Sequence, residues 1–575
     1  MNAERLLAYY QEIAEARDAV DRLRRFILDL AVRGRLVPQQ PDEEPASELL
    51  KRLTSESDAT AGHGRIARNK PQEPIHEAPF KAPQGWTWMR LGQTGNIFSG
   101  NSINETTREQ LSRIRNGLPF IATKDVGYGL DAIGYDNGLL VEHSDQRFKV
   151  ARAGAVLICA EGGSAGKKIG LINRSICFGN KLLANETWSI VVSKFMLYVY
   201  MSNFFYEQFS GAMKGVIGGI SIADFLRLPF CLPPLAEQNR IVAKVDELMD
   251  LCDELEEAQT ARDAARDRLA AASLARLNTP SPKTFQADAR FALDVLPAVA
   301  ARVHLVNKLR QTIFNLAVQG KLVSQDPTED SASRQLELLA VERSKQVAAG
   351  LIPRPKPSTR DSKWLAGQFP EAWRVIALGD ACSLVTSGSR GWAEFYAKDG
   401  PGFIRAQNIR FGKLRLDDLA RVNPPANAEG GRTQVAKGDL LVVITGAGVT
   451  NPALLDVDLG EAYVSQHVGL IRPIVDGLSR WFLVCLMADS GGRSELTERA
   501  YGAGKPGLNL NNLRSLTVPF PPLAEQRRII AKLDQLTALC DELEASLTAA
   551  DGTRGRLLEA LLAEALSEPA VAEAA

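Results

Sequence analysis

The segment Glu161–Lys168, with the sequence EGGSAGKK, is the closest approach in this chain to a nucleotide-binding loop. The phosphate-loop pattern G-x-x-x-x-G-K-[ST] requires glycine at position 161 and serine or threonine at position 168. The chain has Glu161 and Lys168 there, so the pattern fails and no ATP site is predicted. Two alternatives remain open. The loop could contact a phosphate through backbone N–H groups and two lysines, or it could be a tight turn after a buried strand.

The tetrapeptide Asn423–Ala426 follows the order of the Asn-Pro-Pro-aromatic motif of adenine methyltransferases, but it lacks the aromatic residue. In such enzymes the ring stacks on a base that has left the double helix. Ala426 cannot stack, and no glycine-rich nucleotide fingerprint follows a strand. A methyltransferase site in this chain is therefore not predicted.

The residues needed for metal or nucleophilic catalysis are also dispersed. The five histidines lie far apart, and the seven cysteines include no C-x-x-C pair. Cys252 and Cys540 fall on apolar helix stripes, which predicts core positions for both. The 68 basic and 68 acidic residues balance, so only a local basic surface could bind a polyanion. No apolar run could span a bilayer and the N-terminus lacks a signal-peptide core, which favours a cytoplasmic protein.

The chain repeats itself at an offset of about 287 residues. Residues 233–256 and 521–544 are identical at 18 of 24 positions, and each block begins with Pro-Pro-Leu-Ala-Glu-Gln. Leu30–Val37 is matched by Leu316–Val323, and Trp86 is matched by Trp373. Between these blocks the two halves differ widely. The repeat therefore predicts one scaffold that carries two different inserts, with both tryptophans as core or docking anchors.

Two kinds of long helix are expected to build this scaffold. The N-terminal helix has an uninterrupted heptad pattern that ends near Gly34, and its apolar residues are Leu6, Tyr9, Ile13, Ala16, Val20, Leu23, Ile27 and Leu30. The central copy of this helix ends at Gly320, and Arg302 is the one charged residue in its apolar stripe. A second apolar helix follows each Pro-Pro segment, and its first copy is expected to run to about Leu277. Helices of both kinds are adjacent mid-chain and can pair as a hairpin, which leaves the two chain ends to pair with each other. Two independent units are the alternative.

The predicted fold class is α+β, with two mixed α/β insert domains joined by long antiparallel coiled-coil helices in a pseudo-twofold ring. Short apolar runs at 155–160 and 440–444 predict buried strands, and helices are expected near 195–209 and 479–487. The predicted segments are an N-terminal helix that pairs with the C-terminal helix (1–53), a linker (54–80), the first insert (81–229), a central helical hairpin (230–325), a helix and linker (326–363), the second insert (364–520), the C-terminal helix (521–566) and a disordered tail (567–575).

This duplicated frame resembles the specificity (S) subunits of type I restriction-modification enzymes over nearly the whole chain. The resemblance rests on the tryptophan at each insert entry, on Pro-Pro-Leu-Ala-Glu-Gln-x-x-Ile before a long helix, and on Leu-Ala-Val-x-Gly-x-Leu-Val at the end of another. It implies that each insert is a target-recognition domain that reads one half of a split DNA site. It also implies that the chain itself holds no active site.

The same resemblance implies the partners. These are double-stranded DNA, two methyltransferase (M) subunits that dock on the helices, and nuclease-translocase (R) subunits, with no membrane. S-adenosylmethionine, ATP and Mg²⁺ would be bound by the partner subunits, so no cofactor is expected in this chain. The alternatives are a single-chain DNA adenine methyltransferase with its own recognition domains and a coiled-coil scaffold without a DNA function.

Given the resemblance, candidate DNA contacts fall in aligned loops. Lys214 and Lys505 lie in matched glycine-rich loops that suit phosphate contact, although each could be a plain exposed lysine. Polar residues after Phe120-Ile121 and after Phe403-Ile404 are candidate base readers, because Gln and Asn can pair with adenine and Arg with guanine. The first insert carries 16 basic against 11 acidic residues, net +5, and the second 16 against 15. The full candidate set is Arg113, Arg115, Lys124, Lys167, Lys168, Lys214, Arg390, Arg405, Gln407, Asn408, Arg410 and Lys505.

Overall fold

The computed structural model describes residues 16, 18–51, 75, 77–214, 218–278, 283–299, 302–354, 369–425, 432–500 and 506–566. Three heptad residues (Leu6, Tyr9 and Ile13), the 567–575 tail, most of the 54–80 linker and residues 355–363 of the second linker segment lie outside this part. The chain forms two compact units: unit 1 comprises residues 1–261 and 551–575, and unit 2 comprises residues 262–550. Each unit holds one sheet-containing domain and segments of long helices, so the predicted α+β class with two such domains is confirmed.

Unit 1 contains short strands and helices between two long-helix segments. Its strands are β1 (Thr87–Arg90), β2 (Gly95–Ser99), β3 (Leu118–Ile121), β4 (Leu140–Val141), β5 (Val150–Ala151), β6 (Val156–Cys159), β7 (Ile169–Leu171), β8 (Ile176–Phe178), β9 (Leu182–Thr187) and β10 (Pro229–Leu232). Its complete helices are α1 (Ala19–Val32), α2 (Glu105–Arg113), α3 (Ser193–Met201), α4 (Asn203–Ala212) and α5 (Ile222–Leu226). The sheets have the orders β2-β9-β6-β7 and β4-β3-β8-β5, and β1 pairs with β10. The run at 155–160 is a buried strand, as predicted, since all four residues of β6 are buried.

Unit 2 repeats this plan with other residues. Helix α6 (Leu235–Asn278) begins in unit 1, continues into unit 2 and ends one residue beyond the predicted Leu277; α7 (Phe285–Val299), α8 (Val303–Val318) and α9 (Ala332–Ala348) follow. The strands are β11 (Arg374–Ala377), β12 (Cys382–Ser387), β13 (Tyr396–Ile404), β14 (Ile409–Arg410), β15 (Lys413–Leu414), β16 (Ala420–Val422), β17 (Leu440–Val443), β18 (Pro452–Leu454), β19 (Ala462–Val464), β20 (Val468–Pro473) and β21 (Thr517–Phe520). The remaining helices are α10 (Ser479–Met487), α11 (Gly492–Arg499), α12 (Leu510–Arg514) and α13 (Leu523–Leu566). The main sheet has the order β12-β20-β17-β18, which matches β2-β9-β6-β7 strand for strand.

The long helices bury their apolar stripes inside each unit. In unit 1, Ile27 and Leu28 of α1 share a core with Ile241 and Val245 of α6. Phe26 and Leu30, on another face of α1, pack with the C-terminal residues Leu558, Leu561 and Leu562 of α13. The N-terminal and C-terminal helices therefore share one apolar cluster. Helix α1 thus uses one apolar face for the domain core and another for the C-terminal residues of α13.

Unit 2 shows the corresponding packing and one departure from the sequence analysis. Val306 and Ile313 of α8 pack with Ile529 of α13, and Leu305 of α8 packs with α6. The predicted continuous central heptad helix is wrong, because α7 ends at Val299 and α8 begins at Val303. Arg302 between them is extended, with φ −141° and ψ 141°, and its guanidinium pairs with Asp263. The charged intruder in the heptad thus marks a break in the helix.

A buried Trp–Glu hydrogen bond joins each domain entry to the helix that leaves it. Trp86 Nε1 donates to Glu237 Oε2 over 2.9 Å, and Trp373 Nε1 donates to Glu525 Oε2 over the same distance. All four side chains are buried, and this burial raises the pKa of both carboxyls. The tryptophans are core anchors, as predicted, and neither ring is free for stacking on a base.

A glycine closes helices α1 and α8 in the same way. Gly34 and Gly320 adopt φ +66° and +68°, which an L side chain rarely tolerates. Arg35 N donates to Leu30 O and Lys321 N donates to Leu316 O, both over 2.9 Å, which is the hydrogen bond of a Schellman cap. The predicted helix ends at these glycines are confirmed. Each glycine also faces the ring of its domain's tryptophan, so that the cap and the Trp–Glu pair form one junction.

A further matched pair of side chains accepts a backbone hydrogen bond, at the start of a helix in unit 1 and just ahead of one in unit 2. Asp29 of α1 is buried, and its Oδ1 accepts a hydrogen bond from Phe204 N over 3.0 Å at the start of α4. Asn315 of α8 is the matched residue, and its Oδ1 accepts from Ser490 N over 2.9 Å ahead of α11. Burial raises the pKa of Asp29. The frame thus uses either a carboxylate or an amide oxygen for one task.

Candidate nucleic-acid interface

Loops that leave three strands of unit 1 meet at one edge of the domain. Gly179 N, just after β8, donates to Ile121 O at the end of β3 over 2.9 Å. Ala160 N, just after β6, donates to Lys181 O over 2.8 Å. The glycine-rich loop after β6 also receives the segment that follows α4, because Gly162 N donates to Gly218 O over 2.9 Å. Four loops from distant parts of the sequence are therefore held together by backbone hydrogen bonds.

This edge brings together four of the predicted lysines. Lys124 lies on the 3₁₀ turn Thr123–Asp125, and Lys168 Nζ donates to Thr123 O over 3.1 Å. Lys167 is exposed on the glycine-rich loop. Lys214 forms a β-bridge with Gly219, which also bridges to the glycine-rich loop. Lys214 Nζ pairs with Asp224 over 3.1 Å, although its side chain remains 78% exposed.

Two aromatic rings accompany these lysines. Lys168 Nζ lies 5.6 Å from the ring centroid of Tyr128, and Lys167 Nζ lies 6.0 Å from that of Tyr206. Tyr128 is 61% exposed. Cations beside exposed aromatic rings suit contact with a nucleic acid, which offers both phosphates and flat bases.

The same loops meet in unit 2. Ser465 N donates to Ile404 O and Ile444 N donates to His467 O, both over 2.9 Å. Thr445 bridges to Gly507, in the position where unit 1 has its bridge between Glu161 and Gly219. Lys505, the predicted counterpart of Lys214, lies outside the described residues, so its place stays a prediction.

The loop of unit 2 that corresponds to the phosphate-loop look-alike carries no lysine. Thr450 N donates to Val443 O over 2.8 Å, as Gly166 N does to Cys159 O. Gly166 has φ +71°, whereas Thr450 has φ +78°. A β-branched residue with positive φ is strained. Thr450 is therefore held in place by its loop contacts rather than by its own backbone preference.

The other predicted readers of unit 2 lie on the segment after β13. Arg405 Nη2 donates to Asp418 O over 3.1 Å, and Gln407 Nε2 lies 3.3 Å from Asp418 Oδ2. Gln407 and Arg410 are exposed, and Asp418 is 80% exposed. Arg405 and Gln407 are thus arranged around one acidic residue at the surface.

The prediction that Asn408 reads bases is wrong, because its side chain is only 2% exposed. Asn408 Oδ1 accepts from Arg405 N over 2.9 Å, and Nδ2 donates to the carbonyls of Arg415 and Asp418 over 3.1 Å. Asp125 performs the first of these tasks in unit 1, where it accepts from Ala122 N. The amide of Asn408 therefore holds the loop and is not available to DNA.

Three arginines from polar loops are less closely tied to these edges. Arg113 and Arg115 are exposed at and just beyond the end of α2. Among the residues that the structure describes, no hydrogen bond or ion pair joins them to the lysine-bearing loops. Arg390 is exposed two residues after Gly388, whose Cα packs closely against the backbone of Val464 and Ser465. Arg390 thus lies near the loop edge of unit 2.

The loop edges also include two turns that the sequence analysis did not consider. Gly179–Leu182 joins β8 to β9, and Ser465–Val468 joins β19 to β20. Their central residues are Asn180-Lys181 and Gln466-His467, and all four are exposed. The two turns share no residue type at any position. No sequence signal could have aligned them, and only their backbone hydrogen bonds do so.

The structure places the remaining motifs in the fold. Glu161–Lys168 is a turn after buried β6, and Asn423-Pro424-Pro425 follows β16, while Ala426 lies outside the described residues. All seven cysteines are buried and unpaired, including Cys252 and Cys540 at the predicted core positions. Within the described ranges, no three His, Cys, Asp or Glu side chains converge as a metal site. None of the helices in those ranges is long and apolar enough to cross a membrane.

The comparisons with known proteins point to one family. The family model for the type I restriction modification DNA specificity domain matches this chain twice, at residues 83–262 and 370–550. The type I restriction enzyme EcoAI specificity subunit of Escherichia coli is 28% identical, over 95% of this chain and 94% of its own length. The EcoEI specificity subunit of the same organism is 27% identical over the same shares.

A solved structure gives the same fold. It comes from work on complex assembly and conformational transition of the type I R-M system, and it aligns with a TM-score of 0.51 at 19% identity. The alignment covers 85% of this chain and 99% of that chain. Because the two family-model matches span more than half of the sequence, this chain belongs to the family of type I restriction-modification DNA specificity subunits.

Proposed function

We propose that this chain recognises a bipartite DNA target, with each sheet-containing domain reading one half of it. The observation that carries the proposal is the contrast between frame and loops. The backbone bonds between loops match to within 0.1 Å in the two domains, as in the 2.9 Å bonds Gly179 N–Ile121 O and Ser465 N–Ile404 O. The side chains on those loops differ almost throughout. A fixed geometry with unlike side chains is what two readers of different sequences require.

The lysine-rich edge of unit 1 supports DNA as the ligand. Lys124, the adjacent pair Lys167-Lys168, and Lys214 come from three separate stretches of sequence, yet the fold gathers them at one edge. Lysines are point charges that position a protein on the phosphate backbone without reading sequence. Base reading then falls to other polar side chains on the loop edges, among which Gln407 and Arg410 remain candidates in unit 2.

The partners follow from the family. We infer that the chain positions methyltransferase subunits, and a nuclease-translocase subunit where one is present, on the bound DNA. The helices α6 and α13 offer surface for this, because Leu251 and the matched Leu539 are 52% and 59% exposed. S-adenosylmethionine, ATP and Mg²⁺ would serve those subunits and not this chain. The single-chain methyltransferase alternative finds no support, since the full-length relatives are specificity subunits.

A domain exchange tests the proposal. The insert 364–520 is replaced by the matching insert of a relative, the variant is combined with its methyltransferase subunits, and methylated motifs are mapped by sequencing. One half of the recognised site should change and the other should stay. If the motif is the same before and after exchange, the domains do not read DNA separately. A reciprocal exchange of 81–229 is the matched control, because it should change the opposite half.

A further inference from the structure

We propose that the two tight turns Gly179–Leu182 and Ser465–Val468 are the base-reading tips of the two domains, with Asn180 and Gln466 as adenine-reading residues. This inference rests on the proposed DNA-recognition function and assigns residues within it. These are positions at which the two domains have the same backbone geometry and different side chains.

The turns are superimposable by their hydrogen bonds. Leu182 N donates to Gly179 O over 3.1 Å, and Val468 N donates to Ser465 O over 3.0 Å, so each segment is a β-turn with two central residues. A second bond anchors each turn to the strand-end loop beside it, from Ala160 N to Lys181 O and from Ile444 N to His467 O. The backbone of each tip is therefore fixed whatever its side chains are.

Close packing of glycine reinforces this anchoring. Gly100 follows β2 and Gly388 follows β12, and a Cβ atom on either would collide with the carbonyl of Phe178 or Val464 just before the turn. Only glycine allows a neighbouring strand end to approach the tip so closely. Each turn thus packs against the end of a neighbouring strand and is hydrogen-bonded to a neighbouring loop.

Burial separates the tip from its support. The residues that flank the turns on the strands, Phe178, Leu182, Val464 and Val468, are at most 1% exposed. The central residues are all exposed. In the described part of the chain, no side-chain hydrogen bond is formed by Asn180, and Gln466 Nε2 contacts only its neighbour His467, at 3.3 Å. Neither amide has a structural task comparable to that of Asn408.

The surroundings match what a base reader needs. The tip of unit 1 is bonded to the end of β3, next to Thr123 and Lys124, and to the loop that carries Lys167. These lysines can hold the phosphates on either side of a groove while the tip reaches its floor. Each tip also carries a second polar residue, since Lys181 and His467 are exposed beside the amides.

The chemistry selects adenine. The side-chain amide of Asn or Gln can accept from N6 and donate to N7 of adenine in the major groove, a pairing that no other base offers in the same geometry. Lys181, whose Nζ lies 3.8 Å from Glu161 Oε1, can donate a hydrogen bond to an acceptor on a neighbouring guanine or to a phosphate. His467 can also donate a hydrogen bond to such an acceptor. Each half-site should therefore contain an adenine whose recognition depends on the side-chain amide.

The test uses the full chain assembled with its methyltransferase subunits. The variants are Asn180→Asp and Gln466→Glu, which keep size and shape but replace the donor –NH₂ with an acceptor. Methylated motifs are mapped, and binding is measured to the mapped duplex and to duplexes changed at one position. Each variant should lose about 5- to 150-fold in discrimination at one adenine position, in its own half-site only. Asn173→Asp and Asn423→Asp, at exposed turns elsewhere in the same domains, are controls that should leave the motif unchanged.

The outcomes separate this inference from the proposed function. If the wild-type assembly shows no bipartite motif at all, the proposed function fails. If the wild type has such a motif and the variants keep both it and their affinity, the tips are not the readers. A uniform loss of affinity on all duplexes, with the motif unchanged, would also overturn the inference, because it would place the turns on the DNA backbone. Circular dichroism confirms that the variants are folded.

Discussion

Substitution of three helix-capping glycines by alanine should distinguish two contributions to the loss of stability. One is the free energy of placing alanine in the left-handed backbone region, and the other is the steric cost of adding a Cβ atom at a tightly packed junction. Gly34, Gly320 and Gly350 all have φ between +66° and +71° and all close a helix. A Cβ atom at Gly34 would lie 2.5 Å from Pro83 Cγ, and one at Gly320 would lie 2.7 Å from Pro370 Cγ. A Cβ atom at Gly350 would meet nothing within 4 Å. Gly350 is therefore the matched control.

The expected magnitudes follow from these distances. An alanine in the left-handed region costs about 1 kcal/mol, which is the whole expected effect of Gly350→Ala. Gly34→Ala and Gly320→Ala add an overpacking cost of about 1–3 kcal/mol, because the tryptophan ring behind each glycine is fixed by its hydrogen bond to a buried glutamate. The total destabilisation should be about 2–4 kcal/mol at each junction.

Urea denaturation followed by circular dichroism at 222 nm measures these effects. Because the two units can unfold in separate transitions, the midpoint of each transition is followed by itself. Gly34→Ala should lower the midpoint of unit 1 and Gly320→Ala that of unit 2. If neither variant is more destabilising than Gly350→Ala, the junction relaxes around the added methyl group and the argument for a rigid Trp–Glu–Gly junction is refuted.

Three further predictions concern the caps, the chain ends and the basic edge. Asp29→Asn should be nearly neutral at pH 7, because Asn315 performs the same task, whereas Asp29→Ala should cost about 1 kcal/mol in urea denaturation. Since burial raises the pKa of Asp29, wild-type stability should fall as pH rises from the ordinary carboxyl value of 3.8 through the raised pKa, and Asp29→Asn should remove that dependence. Leu558→Ala should destabilise unit 1 by about 2–5 kcal/mol. Leu539→Ala, on an exposed face of the same helix, should change the thermal unfolding midpoint of the protein little. Lys167→Ala should lower the salt slope of DNA affinity by about 0.9 without changing sequence preference, and a changed preference at constant slope would instead place Lys167 at a base edge.

The scaffold could be predicted from the sequence because its signals are periodic and repeated. Apolar spacing located α6 to within a residue of its end, and the duplicated blocks marked Trp86 and Trp373 as matched anchors. The hydrogen bonds of these tryptophans to Glu237 and Glu525 were not predicted. The break at Arg302 was missed because the heptad continues on both sides of it. The extended Arg302 pairs with Asp263, and local spacing cannot reveal such a long-range partner.

The candidate interface was predictable only in part. Lysines on glycine-rich loops were found because both residue types can be read directly from the amino-acid sequence. Asn408 was misjudged because its buried hydrogen bonds reach Arg415 and Asp418, which lie beyond the motif. The tips at Asn180 and Gln466 were missed for the opposite reason. Their position is encoded in backbone hydrogen bonds, which do not depend on the identity of the side chains they present.

The shared cluster of Phe26, Leu30 and Leu558 has a consequence for how the chain is made. Unit 1 is discontinuous, and its second segment, residues 551–575, is synthesised after the whole of unit 2. At about 5–20 residues per second, Leu558 leaves the ribosome roughly half a minute to two minutes after Leu30. During that interval the apolar stripe of the N-terminal helix is exposed, because the C-terminal residues that pack against it have not yet been synthesised. Unit 2, by contrast, is contiguous and can complete its core while translation continues. Nascent chains should therefore depend on a holdase chaperone at their N-terminal helix, and their second domain should become protease-resistant before their first.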